Sequence, residues 1–250
     1  MLDIIAGQFD PLIFLFLLAS SFLGSFITVA LGIGGGALLL AIMASLMPPA
    51  ALIPVHGVIQ LGSNALRSSL LLRFTFWPPI LAFLFGSIIG AALGGSVVVN
   101  LPPAVIQLGI GAFVIFSVLM NPPAWLSRLP FESGAISSFL TMFFGATGIF
   151  VANFVKSLKL PRKEHVATHA AMMTIQHCLK VVMFAVLGFS FGPWIGFIVA
   201  MTIAGFLGTI AGRHVLHKMD DRRFKLALDI VLLLISARLI WSGFSSLFLD

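Results

Sequence analysis

Apolar residues run through this chain in ten stretches, interrupted only by proline, glycine and short charged loops. They cover about 12–31, 35–47, 51–72, 78–98, 103–120, 131–145, 147–158, 164–188, 193–214 and 223–247. Only 9% of the 250 residues are charged and 60% are hydrophobic, whereas soluble domains carry about 25% charged residues. Too few charges remain to cover a water-facing surface. The mean hydropathy of +1.14 and the need for roughly 20 apolar residues per span predict an all-α polytopic membrane protein. Residues 1–250 are read as a single transmembrane domain. The second and seventh stretches are too short to span and predict broken or re-entrant helical hairpins. The first residues, Met-Leu-Asp-Ile-Ile, lack the basic segment of a cleavable signal, so the first stretch is expected to stay in the membrane.

The two halves repeat. A shift of 113 sets His56 on His169, Asn64 on His177, Arg67 on Lys180, and Gly32 and Gly35 on Gly145 and Gly148. A shift of 118 sets Gly90 and Gly94 on Gly208 and Gly212. This predicts two repeats of about five segments each, residues 11–122 and 129–248. Charge gives the orientation, because Lys and Arg concentrate in cytoplasmic loops. Arg73, Arg128, the run Lys156, Lys159, Arg162 and Lys163, and the run Arg213, Lys218, Arg222 and Arg223 are assigned to the cytoplasm. The uncharged loops near 48–50, 99–103 and 189–193 face outward. If segments one and two, and six and seven, are hairpins that enter and leave on one side, both termini lie outside and the repeats have opposite orientation. Inverted repeats are the architecture of secondary transporters.

The residues able to carry chemistry follow the same duplication. His56, Gln60, Asn64 and Arg67 share one face of the third segment, and His169, Met173, His177 and Lys180 share one face of the eighth, with Gln176 beside them. A charge at the centre of a membrane helix costs about 2.5–3.5 kcal/mol on insertion scales, so Arg67 and Lys180 are expected to face an interior site. The alternative, that they snorkel to the interface, does not account for the repetition. Gly34, Gly35 and Gly36, and Gly148 with Thr147 before it, break the hairpins; unwound backbone there offers N–H groups and half-helix N-termini to an anion. Gly90, Gly94, Gly208 and Gly212 are read instead as small-residue packing faces.

The acids decide the sign of the ligand. They are Asp3, Asp10, Glu132, Glu164, Asp220, Asp221, Asp229 and Asp250. Only Asp229 falls inside a span, one turn from Lys225 and expected to pair with it. Arg67, Lys180 and Arg238 are expected as buried cations, Arg238 in a structural role. The ligand is therefore a small anion. The net charge of +6 reflects loop topology rather than nucleic-acid binding. The single Cys178 excludes an intrachain disulfide and a cysteine-based zinc site. With no hydrolase triad, HExxH or phosphate loop in the sequence, no enzymatic activity, cofactor or metal is expected.

A glycine-rich turn at 32–36, followed by Pro54-Val55-His56, Asn64 and Arg67 in the next long helix, resembles the sulfite exporter TauE/SafE family, also called the toluene sulfonate uptake permease family. The likeness extends over nearly the whole chain, with His177 and Lys180 standing in the second half where the first has Asn64 and Arg67. The resemblance implies a multi-pass carrier of the bacterial inner membrane for sulfur-containing anions: sulfite, thiosulfate or organosulfonates such as sulfoacetate. It leaves direction and oligomeric state open. On this reading Arg67 and Lys180 supply charge, and His56, Asn64, His169, His177 and Thr147 supply hydrogen bonds. His56 or His169 is also placed as the carrier of a coupled proton, imidazole being the side chain that titrates near neutral pH. Two other readings remain at this point, a passive anion channel and a non-transporting membrane assembly partner.

Overall fold

The structure is a computed structural model and describes residues 9–31, 34–98, 102–215 and 221–248. Among them are ten α-helices and no strand: α1 (Pro11–Leu31), α2 (Gly35–Leu46), α3 (Pro49–Leu71), α4 (Ile80–Val98), α5 (Pro103–Leu119), α6 (Pro130–Phe144), α7 (Gly148–Ser157), α8 (Arg162–Val186), α9 (Ile195–Val215) and α10 (Asp221–Phe248). Every apolar stretch becomes one helix. Proline opens α1, α3, α5 and α6, where its missing N–H belongs to no intrahelical bond. The Asp10 carboxylate accepts from Leu12 N at 2.8 Å and caps α1. Five helices are long and apolar enough to cross a membrane: α1, α4, α8, α9 and α10. At 12 and 10 residues, α2 and α7 reach only about 18 and 15 Å, half the roughly 30 Å of a hydrocarbon core.

The molecule exposes apolar side chains and encloses a polar cluster within a largely apolar core. Leu12, Phe16 and Leu23 of α1, Phe85 and Leu93 of α4, and Val199, Ile203 and Leu207 of α9 are exposed, while His56, Asn64, Arg67, His169, Gln176, His177 and Lys180 are buried. Lipid is the solvent that suits such a surface. Arg238 departs from expectation. It is exposed on the outer face of α10 rather than buried, because the buried residues Leu232, Ser236 and Leu239 mark the opposite face of that helix.

The most extensive helix pairs are α4–α6, α1–α9, α5–α10 and α3–α8, followed by α1–α2, α4–α8 and α3–α9. Exchanging each helix with the one five places away turns α4–α6 into α9–α1 and α4–α8 into α9–α3. The pairs α3–α8 and α5–α10 return to themselves. The spaced glycines seat the first two interfaces. A Cβ on Gly90 would strike the Ala135 carbonyl oxygen, and one on Gly208 the Phe22 carbonyl oxygen. On Gly94 it would lie 2.8 Å from the Phe139 oxygen, and on Gly212 2.8 Å from the Phe26 oxygen. These glycines therefore do pack helices, letting backbones approach as small residues do in membranes.

Between the paired helices the chain breaks twice, at Gly34 (φ +102°) and at Gly145 (φ +73°). Both conformations disfavour any residue with a Cβ. Gly32, the counterpart of Gly145 at a shift of 113, lies outside the described residues, as do Asp3, Asp220, Asp250 and Lys218. The expected Asp229–Lys225 pairing also falls there, since the Lys225 side chain is not described.

Candidate functional site

Helices α3 and α8 run side by side through the middle of the molecule and bring their polar faces together. The His56 and His177 rings meet edge to face with centroids 6.3 Å apart. Lys180 lies across α3 at Gly57, where a Cβ would sit 2.8 Å from Lys180 Cε. Its ammonium group donates to the Gly145 carbonyl oxygen at 3.0 Å and so ties α8 to the break before α7. On the other side, Arg67 lies within electrostatic reach of His169. Arg67 Nη1 donates to Asn64 Oδ1 at 3.1 Å and Nη2 to Ser63 Oγ at 3.5 Å. Lys180 is within electrostatic reach of His56 on α3 and of His177 on its own helix, and Arg67 of His169 on α8.

The two breaks are held against this cluster. His56 Nε2 donates to the Gly36 carbonyl oxygen at 3.1 Å, and the Gln60 side chain lies 3.2 Å from where a Cβ on Gly36 would be. In the second hairpin, Thr147 Oγ1 donates to the Ser137 carbonyl oxygen at 2.9 Å and accepts from Gln176 Nε2 at 3.1 Å. Thr28 and Thr141, 113 residues apart, each bond a carbonyl four residues away, at Gly24 and Gly145 respectively. Gly35 packs directly on the Gly24 carbonyl and Thr28 hydroxyl.

A cavity of about 490 Å³ reaches this region, lined among others by Gly34, Gly36, His56, Gln60, Asn64, Gly148, His169 and His177. Eight of the twelve residues singled out from sequence therefore face one space. The other four, Gly35, Thr147, Arg67 and Lys180, stand behind its wall. Arg67 and Lys180 are 3% and 0% exposed, so neither snorkels to an interface. Five buried atoms in this cluster have no hydrogen-bond partner among the described residues: His56 Nδ1, Arg67 Nε, His169 Nε2, His177 Nδ1 and Gln176 Oε1. Native interiors leave few such groups, each costing about 1–3 kcal/mol, and five fall in this one cluster. No carboxylate belongs to the cluster. No group of three or more metal-ligating side chains occurs among the described residues.

Residues 16–239 match the family model described as Sulfite exporter TauE/SafE. The chain belongs to the sulfite exporter TauE/SafE family. No curated protein matches it, and no solved structure does. Membership makes it a multi-pass membrane transporter of the sulfite-exporter class rather than an enzyme. The buried cations and the acid-free cluster fit an anionic cargo, whose oxygens accept hydrogen bonds.

Other residues of this TauE/SafE chain reach the cavity without having been assigned to the site from sequence: Thr28, Asn153, Lys156, His165 and Asp229. His165 was legible, since it extends the stripe His169, Met173, His177 by one more turn. Lys156 reads as an ordinary loop charge and Gly57 as one helical glycine among many. Nothing in their local sequence distinguishes them.

Proposed function

We propose that the protein is a secondary carrier of small sulfur oxyanions in the bacterial inner membrane, with sulfite, thiosulfate and sulfoacetate as its candidate cargoes. Its site is the α3–α8 cluster between two inverted repeats, residues 11–122 and 129–248. The observation that carries this reading is the group of unpartnered buried polar atoms on His56, Arg67, His169, Gln176 and His177 at the end of one cavity. His56, Gln60, Asn64, His169 and His177 meet the anion from the wall, with the backbone of Gly34, Gly36 and Gly148 at the two half-helices. Arg67, Lys180, Thr147 and Gly35 act from behind, the cations setting the potential and the other two fixing the breaks. The pairing of α4–α6 with α1–α9, and of Gly94 on Phe139 with Gly212 on Phe26, supports the duplication. It also supplies two matched bundles that rock about the shared α3–α8 pair to give alternating access.

His56 is the group that couples a proton. Its Nε2 hydrogen is committed to the Gly36 carbonyl, so its Nδ1 can donate to an anion only after gaining a proton. The anion and the proton then arrive together, and the anion offsets the neighbouring Lys180 and His177. Counterflow tests the carrier. Proteoliposomes preloaded with unlabelled sulfite are expected to take up labelled sulfite faster than empty ones. Equal rates with and without preloading contradict a carrier.

A further inference from the structure

The polar lining of the cavity does not end at the α3–α8 cluster. On α8 it continues outward through His165, one turn before His169, and on α7 it includes Asn153 and Lys156, themselves one turn apart. His165, His169, Met173 and His177 form a single stripe of four-residue steps, about 18 Å from end to end at 1.5 Å per residue. Lys156 is exposed and His165 half-buried, and the two are within electrostatic reach of one another. Neither side chain hydrogen-bonds or ion-pairs with another described residue. Lys156 also sits in the last turn of α7. Asp229 of α10 also lines the cavity, beside Leu228 and Leu232.

We infer that Lys156 and His165, with Asn153, form a second, outer anion site at the mouth of the cavity, where a small sulfur oxyanion binds before it reaches the α3–α8 cluster. This rests on the proposed transport of such anions and adds to it a binding step with its own residues. An ammonium, an imidazole and a carboxamide are donors that suit the oxygens of a tetrahedral oxyanion. Lys156 is open to water, so salt screens the outer site over a Debye length of about 8 Å, while the buried cluster is screened far less. The imidazole stripe then gives the anion donors at each further turn except Met173.

Calorimetric titration of the full-length protein in detergent with sodium sulfite, kept under nitrogen, separates the two sites. Wild type is expected to show two binding steps, the weaker one disappearing at high salt. The double variant Lys156→Gln/His165→Gln is expected to lose the weak step and keep the tight one within twofold. The double variant His56→Gln/His177→Gln is expected to do the reverse. A weak step that survives in Lys156→Gln/His165→Gln, or a single step in wild type, overturns the outer site while leaving the inner one standing. Loss of both steps in Lys156→Gln/His165→Gln with a normal unfolding midpoint also overturns it, because the residues would then be part of one site. If His56→Gln/His177→Gln changes neither step, it is the inner reading that fails.

Discussion

Arg67 and Lys180 hold equivalent places but are not interchangeable. Arg67 spans Asn64 and Ser63 with two separate N–H groups, a fork that a lysine cannot reproduce. Arg67→Lys keeps the charge and loses one charge-assisted bond, worth about 1.5–3 kcal/mol, and is expected to lower the rate of sulfite uptake by about tenfold or more. His56→Gln is expected to abolish the dependence of uptake on a pH gradient, because the His56 Nε2 hydrogen is committed to the Gly36 carbonyl and only a gained proton lets Nδ1 donate. Persistence of that dependence in His56→Gln would exclude the coupling role. Thr147→Val removes a donor to Ser137 and an acceptor for Gln176; a loss of about 1–3 kcal/mol is expected in the unfolding equilibrium, restored by Thr147→Ser. The His56, Asn64, Arg67 and His169, His177, Lys180 sets were legible in the sequence because helical spacing alone puts each on one face. That Lys180 would lie across α3 was not legible, since it depends on how α3 and α8 pack and on the room that Gly57 leaves.

The elements that matter most at the next scale are the two broken hairpins and the two glycine-seated interfaces. Every helix was visible as an apolar run, because proline, glycine and charge are the only punctuation a membrane chain offers. The shortness of α2 and α7 was visible for the same reason. The exposure of Arg238 was not, since α10 is apolar nearly all round and its sequence does not say which side faces inward. At the interfaces, Gly90 and Gly208 rest on the backbone carbonyls of Ala135 and Phe22. Neither backbone can yield as a flexible side chain would. Gly90→Ala and Gly208→Ala are each expected to destabilise the protein by about 1–3 kcal/mol, the usual range for overpacking, read as a fall in the thermal unfolding midpoint in detergent. Gly192→Ala is the control, because the nearest atom to its Cβ would be Ser190 Oγ at 3.9 Å. Equal midpoints for all three variants would contradict the close approach.

The whole molecule is a lipid-suited helical assembly with two matched sets of helix pairs and a cavity that ends against buried cations. By the concentration of Lys and Arg in cytoplasmic loops, Lys156, and with it the mouth of the cavity, is expected on the cytoplasmic side. In a Cys178→Ser background, Asn153→Cys is expected to react with a membrane-impermeant thiol reagent applied from the cytoplasm and not from outside; the opposite pattern would reverse the orientation derived from charge. The central claim is that sulfur oxyanions cross the membrane through the α3–α8 cluster. Labelled uptake into proteoliposomes tests it most directly, with sulfite, thiosulfate, sulfoacetate and sulfate compared side by side in wild type, Arg67→Ala and Lys180→Ala. Saturable uptake of at least one of these anions, lost in both variants while their unfolding midpoints show folded protein, is the predicted result. Uptake that persists unchanged in folded Arg67→Ala and Lys180→Ala, or the movement of none of the four anions by wild type, would contradict it.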